Sequence, residues 1–263
     1  MPGRAWEPLT PRGVAAFARA PAGRLFVVQL VVALLTAGLT VWLLAEAWFP
    51  VVRSAIEQMP EGGEIRSGQL VWPGETPMRL AANRFVAFGV DLTHSGRLAR
   101  EAQLQVEFGG SDCRVMTAPG YYVVLEYPTD TRVAFNRTEL QPWWGAWEPW
   151  LMAGAGLGVA AGLPMAWLLL ATFYSLPGWV IAFVENRDLT LGQSWRMAGA
   201  ALMPGALFLT FAMVAYGLGA VDLIELGALW GLHFLIGWVY VAIGPLFLAA
   251  NDKPEKRGNP FTG

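Results

Sequence analysis

Residues 25–45 run for twenty-one positions without a charged side chain. At about 1.5 Å of helical rise per residue, such a run matches a hydrocarbon core of roughly 30 Å. The reading is a first membrane helix over residues 25–49. Apolar stretches at 150–174, 197–218 and 226–250 are each long enough to cross once more. A competing reading of the first run is a cleaved signal peptide, because Arg4, Arg12, Arg19 and Arg24 precede it and Ala45-Glu46-Ala47 loosely fits a cleavage site. Its apolar core exceeds the roughly 7 to 15 residues of a signal segment, which favours a retained span. Across all 263 residues, 55% are hydrophobic and 14% charged, against about 25% charged in an average soluble protein. A wholly water-soluble chain is excluded.

Basic residues near the span ends set the orientation. Four Arg precede the first span, Arg187 and Arg196 lie between the second and third, and Lys253, Lys256 and Arg257 follow the fourth. Asp222 and Glu225, with no basic residue, join the third and fourth. This predicts both termini in the cytoplasm. The Arg-rich, Lys-poor composition points to a bacterial inner membrane. Trp42, Trp48 and Phe49 close the first span, and Trp143, Trp144, Trp147 and Trp150 open the second, at the depth where such rings anchor.

The expected layout is a cytoplasmic tail over 1–24, an extracytoplasmic domain over 50–142, membrane helices at 143–175, 197–218 and 226–250, and a tail over 251–263. The loop 176–196 contains a short interfacial helix at 177–184, and Thr190 with Gln193 forms a capping box for the third span. Pro164, Pro204 and Pro245 predict kinks.

The fold class is thus a four-span helical bundle carrying an inserted, small antiparallel β-rich domain. That domain opens with a helical extension of the first span, since Val51, Val52, Ala55, Ile56 and Met59 recur at helical spacing before Pro60-Glu61-Gly62-Gly63. Val86, Phe88, Val90 and Leu92 then alternate as a strand. In residues 103–108, Leu104, Val106 and Phe108 define an inward face and Gln103, Gln105 and Glu107 an outward one. Gly109-Gly110-Ser111-Asp112 turns into a return strand at 113–117, and 121–127 is expected to pair with 132–135.

Few residues suggest chemistry. One cysteine, Cys113, excludes an internal disulfide, and with two histidines, His94 and His233, it makes no conventional zinc site. Cys113 reads as a core strand residue, with a reactive thiol beside Arg114 as the alternative. Asn136-Arg137-Thr138 fits a glycosylation pattern that a bacterial chain does not use, and Glu61 with Glu64 reads as solvated surface charge. G-x-S-x-G, H-E-x-x-H and phosphate-loop motifs are missing, so no catalytic residue, cofactor or metal site is assigned. Sixteen of the 18 basic residues are Arg, and the 20 acidic residues nearly balance them, which argues against nucleic acid as a partner.

Within the spans the polar residues are Gln29, Thr36, Thr40, Thr172, Tyr174, Thr210, Tyr216, His233 and Tyr240. His233, Tyr240 and Tyr216 form the candidate intramembrane polar site, with His233 alternatively a neutral imidazole bonded to a neighbouring helix. Gly154, Gly158 and Gly162, and Gly227 with Gly231, form small-residue stripes for helix packing, either among this chain's own spans or against a partner or second copy.

One span, an external β insertion and three further spans, with Leu191-Gly192-Gln193-Ser194-Trp195-Arg196-Met197-Ala198 leading to Pro204, resemble a family of bacterial membrane proteins labelled maltodextrin-utilisation-like. The turn at Gly68 and the run Val90-Asp91-Leu92-Thr93-His94-Ser95-Gly96 are similar in outline to that family's external piece. The last three spans are distantly similar to Yip-type membrane-trafficking proteins. The resemblance implies the layout and no activity. The function expected from the sequence is a non-enzymatic inner-membrane protein whose external domain binds a partner, an envelope component or a ligand, in an accessory, scaffold or sensing role. The alternative is transport or lipid handling through a cavity lined by His233, Tyr240 and Tyr216.

Overall fold

The computed structural model describes residues 7–96, 98 and 102–250. Arg4 and the tail 251–263, with Lys253, Lys256 and Arg257, lie outside the described residues. Among the described residues, four helical stretches are long and apolar enough to cross a membrane by length and composition: Ala22–Glu57, Arg137–Val184, Leu191–Leu218 and Leu223–Phe247. The chain divides into two compact units. One takes the described parts of Met1–Thr36, Val159–Ala215 and Ile224–Gly263, and the other those of Ala37–Gly158 and Tyr216–Leu223.

The first unit is helical. Helix α1 (Pro11–Phe17) starts where the Thr10 hydroxyl accepts the Gly13 N–H at 3.0 Å, with Pro11 in the first turn, where its missing donor is harmless. Val14 and Phe17 bury themselves with Leu25, Met197, Met203 and Val241. The segment expected to be a plain tail is therefore partly a packed helix, and Arg196 fixes its end by donating to the Ala18 carbonyl from two guanidinium nitrogens at 3.2 and 2.7 Å.

Helix α2 (Ala22–Leu43) leads through a π-helical turn (Leu44–Trp48) into α3 (Phe49–Glu57), as the helical spacing beyond the first span predicts. Helix α4 (Arg137–Val184) is continuous for 48 residues and runs through Pro164. This corrects one expectation, since no separate interfacial helix forms at 177–184. Two residues before Pro177 the Ser175 hydroxyl donates to the Thr172 carbonyl at 2.7 Å, a bond within the same helix. The chain turns only after Glu185, at Asn186, whose φ is +51°.

Helix α5 (Leu191–Leu218) carries the predicted capping box: Gln193 Oε1 accepts the Thr190 N–H at 2.8 Å, and the Thr190 hydroxyl accepts the Gln193 N–H at 3.3 Å. It runs through Pro204 without ending. Helix α6 (Leu223–Ile243) gives way to a 3-10 turn at Gly244–Phe247, where Pro245 cannot continue the α-helical ladder.

Glycines that admit close neighbours in this unit include Gly13, Gly178, Gly199, Gly205 and Gly244. A Cβ at Gly205 would collide with the backbone carbonyl of His233 on α6. The predicted stripes are different. A Cβ at Gly154, Gly158, Gly162, Gly227 or Gly231 meets open space, so the version of that expectation in which they pack this chain's own helices is not met.

The second unit holds two small sheets. One has the order β2 (Gln69–Val71), β1 (Glu64–Arg66), β8 (Val133–Ala134), all antiparallel. The other runs β3 (Met78–Ala82), β4 (Val86–Val90), β5 (Leu104–Phe108), β6 (Asp112–Thr117), β7 (Tyr122–Glu126). Its β4–β5 pair is parallel, which corrects the all-antiparallel expectation. Parallel neighbours need a crossover rather than a hairpin, and residues 91–103 supply it. The expected pairing of 121–127 with 132–135 also fails: β7 pairs with β6, and β8 with β1.

One face of the larger sheet joins a core of Val90, Cys113, Ile65, Leu70, Trp72 and Phe135, closed by Ala55 and Met59. Asn136, in the glycosylation-like triplet, is buried and caps α4, its Oδ1 accepting the Glu139 N–H at 3.0 Å. At the other end of this unit Arg84 donates to the Leu218 carbonyl at 3.1 Å and to that of Gly217. It thereby satisfies the last carbonyls of α5 beside Gly219, a C-terminal glycine at φ +78°.

Candidate functional site

The alternation in β5 locates the strand and its core-facing side, where Val106 and Phe108 pack on the core, but the opposite side is covered as well. Gln105 and Glu107 are only 5% and 4% exposed, whereas Leu104, Val106 and Phe108 are half-buried. His94 and Leu98 of the crossover lie against that side of the sheet, and His94, Glu107, Asp112 and Arg114 gather there.

Asp91 opens the crossover, 1% exposed. Its carboxylate accepts the Ser95 hydroxyl at 2.7 Å and both the N–H and hydroxyl of Thr93 at 3.3 and 3.2 Å, folding residues 91–95 into a tight turn. Burial pushes the Asp91 carboxyl up, but the bonds from Ser95 and Thr93 outweigh it and hold it below its ordinary value of 3.8. The turn sets His94 at φ +49°, a left-handed conformation rare for a residue with a side chain. Gly109 leaves the imidazole its space, since a Cβ there would collide with the ring.

His94 is clasped on both sides. Nδ1 faces Glu107 Oε1 at 2.5 Å and Nε2 faces Asp112 Oδ1 at 2.6 Å. A neutral imidazole has one N–H to give, so two such bonds require a second proton within the cluster. Arg114 adds its Nε at 3.4 Å from Asp112, and Gln105 lies beside Glu107. The carboxylates sit at opposite edges of the ring and do not converge on one point. Among the described residues no three His, Cys, Asp or Glu side chains are arranged to hold a metal ion. Spacing could not reveal this cluster, because its members come from a crossover, a mid-strand position and a strand start.

Cys113 lies on the core side of β6, buried as expected. Burial, with the nearby charges of Asp112 and Glu107, pushes its thiol up to about 11. Burial, then the neighbouring Cys113 and Asp112, raise the Tyr127 phenol, which donates to the Gly109 carbonyl at 3.1 Å. Because thiolate is the reactive form, alkylation of Cys113 at pH 8 in the folded chain is expected to run at least about a hundredfold slower than after denaturation. Mass spectrometry of timed iodoacetamide labelling checks this, and comparable rates would refute the placement.

Asp91 gives an acid dependence. A carboxyl depressed in the folded state stabilises it fully above the unfolded value near 3.8, and that stabilisation is lost as pH falls through the lower folded value. Amide exchange in β4 and β5 should accelerate over that interval, and the Asp91→Asn variant should lose this part of the acid response.

The three residues of the predicted intramembrane site are divided between the two units. Tyr216 belongs to the second unit, where its ring packs on Phe85 at 5.0 Å. His233 bonds the Trp230 carbonyl of its own helix rather than a neighbouring helix, and the Tyr240 hydroxyl donates to the Leu9 carbonyl at 2.7 Å. Each has a separate local partner.

A second feature went unpredicted. Strand β7 is an edge of the five-stranded sheet, unpaired on its outer side among the described residues, and all five of its residues are exposed, Val124 at 45% and Val123 at 62%. Tyr121 just before it is 79% exposed. An apolar edge strand open on both faces is the surface that natural sheets normally blunt with charge or proline. Clefts occur in both units. One of about 240 Å³ lies between α3 and the start of α4, where Arg53 and Glu148 pair at 2.7 Å, and one of about 320 Å³ is lined by Arg12, Arg19 and Phe247.

Comparison with protein-family models, curated proteins and solved structures finds no match to this chain.

Proposed function

We propose that the chain is a four-span protein of a bacterial inner membrane, with both termini cytoplasmic, and that its β domain is an extracytoplasmic, non-enzymatic binding module. The observation that carries the binding reading is β7: an unpaired strand edge with Tyr122, Val123, Val124 and Leu125 all exposed is a template for another strand. Support for insertion comes from the helices, whose large side chains face outward at Leu157, Leu169, Phe173 and Phe183, an arrangement suited to lipid. Catalysis is disfavoured by occupancy. Both ring nitrogens of His94 already face carboxylates, and Cys113 is held as a thiol, so neither offers a free group to a substrate.

Two measurements test this. A periplasm-active phosphatase fused after Gly110 should be active, and an inactive fusion with a fluorescent cytosolic counterpart would overturn the topology. Amides of Tyr122, Val124 and Glu126 should exchange slowly in native membranes, and rapid exchange there would overturn the binding reading.

A further inference from the structure

We propose that β7 pairs with β7 of a second copy of this chain, antiparallel and about a two-fold axis through Val124. This rests on the binding reading and names the partner.

The backbone sets the register. The Thr117 N–H donates to the Tyr121 carbonyl at 2.8 Å where the β6–β7 hairpin closes, and the strands then pair Met116 with Tyr122, Arg114 with Val124 and Asp112 with Glu126. Hydrogen-bonded and non-bonded pairs alternate along an antiparallel ladder. Tyr121, Val123 and Leu125 therefore bond inward to β6, and the N–H and C=O groups of Tyr122, Val124 and Glu126 point to the free edge. A second β7 centred on Val124 matches them: Val124 meets its own counterpart, and each Tyr122 meets Glu126 of the second copy.

The side chains are complementary in that register. Within one chain Glu126 stands across from Asp112, an unfavourable like-charge pair. Arg114 holds its guanidinium 5.7 Å from the Tyr122 ring centroid, on the same face of the sheet. Pairing brings Glu126 of the second copy beside that ring and its cation, and the two-fold axis makes the contact twice. On the opposite face Val123 meets Leu125 of the second copy, so both exposed apolar side chains are covered. An unrelated strand would satisfy the backbone but not this charge and apolar pattern. A pair of five-residue strands buries less than the roughly 1,000 Å² of a stable interface in solution. Association therefore depends on confinement of both copies in one bilayer, which raises their effective concentration.

The test uses the full chain in liposomes at several copies per vesicle. Directly opposed residues of a hydrogen-bonded antiparallel pair have Cα atoms about 5.5 Å apart, within disulfide reach. Mild oxidation of Val124→Cys should give a band at twice 28.6 kDa, at least about tenfold stronger than Gly158→Cys on the glycine stripe. Energy transfer between labelled copies should fall about tenfold in Val124→Lys, which sets two like charges on the axis, and in Glu126→Arg. Amide exchange in β4 and β5 should stay as in the parent, showing that these variants fold. Absence of the Val124→Cys dimer, energy transfer indifferent to Val124→Lys, or capture by Val124→Cys of a different protein in native membranes overturns the proposal. Protected β7 amides without that dimer overturn it alone, whereas unprotected β7 amides overturn the binding reading with it.

Discussion

Replacing His94 by Leu is expected to destabilise the β domain by about 3 kcal/mol, the lower end of what removing one partner from a buried ionic cluster costs. The physical reason is what remains. Glu107, with 5% of its side chain exposed, and Asp112, with 17%, are left facing an apolar group. Arg114 at 3.4 Å from Asp112 compensates only one of them, which is why the lower end applies. Adding Glu107→Gln to the His94→Leu background should recover more than half of the loss, since a neutral amide tolerates the site better than an unpaired carboxylate. Denaturant-dependent amide exchange in β4, β5 and β6 measures both values. If His94→Leu matches the parent, the imidazole does not hold the crossover to the sheet.

The second large effect concerns α5 and α6. Gly205→Ala is expected to destabilise the helical unit by about 2 kcal/mol, because the added methyl meets the rigid His233 backbone rather than a movable side chain. Gly158→Ala, whose methyl enters open space, should be neutral for the single chain. Thermal unfolding in detergent compares them. Equal stability of the two variants would mean that α5 and α6 are not in backbone contact at Gly205.

These two cases show what the residues make legible. Long apolar runs announce four helices, because length and lack of charge are properties of a segment by itself. The Thr190–Gln193 cap is equally local, and the structure reproduces it bond for bond. Gly154, Gly158 and Gly162 share the spacing of a packing stripe, but spacing says only which side of a helix they occupy. Whether anything lies opposite is a tertiary fact.

The β domain shows the same limit. Leu104, Val106 and Phe108 mark a strand correctly, yet Gln105 and Glu107 on its other side are the better buried. A connection of thirteen residues between β4 and β5 was the available signal, since hairpins rarely need more than five and parallel pairs need a dozen or so. Read that way, residues 91–103 would have been laid across the sheet and the burial of Glu107 anticipated. The cluster itself would still have stayed hidden, because His94 reaches Glu107 and Asp112 only once the crossover is folded.

The junctions of the β domain have a practical consequence. Only residues 58–63 separate α3 from β1, and only Phe135 and Asn136 separate β8 from α4. Met59, Phe135 and Asn136 within those joints are buried. A protease needs a stretch of pliable backbone to enter its cleft, and the second joint, two buried residues long, offers none. A cut in the first joint, where Glu61 and Gly62 are exposed, should therefore leave the domain attached through α4.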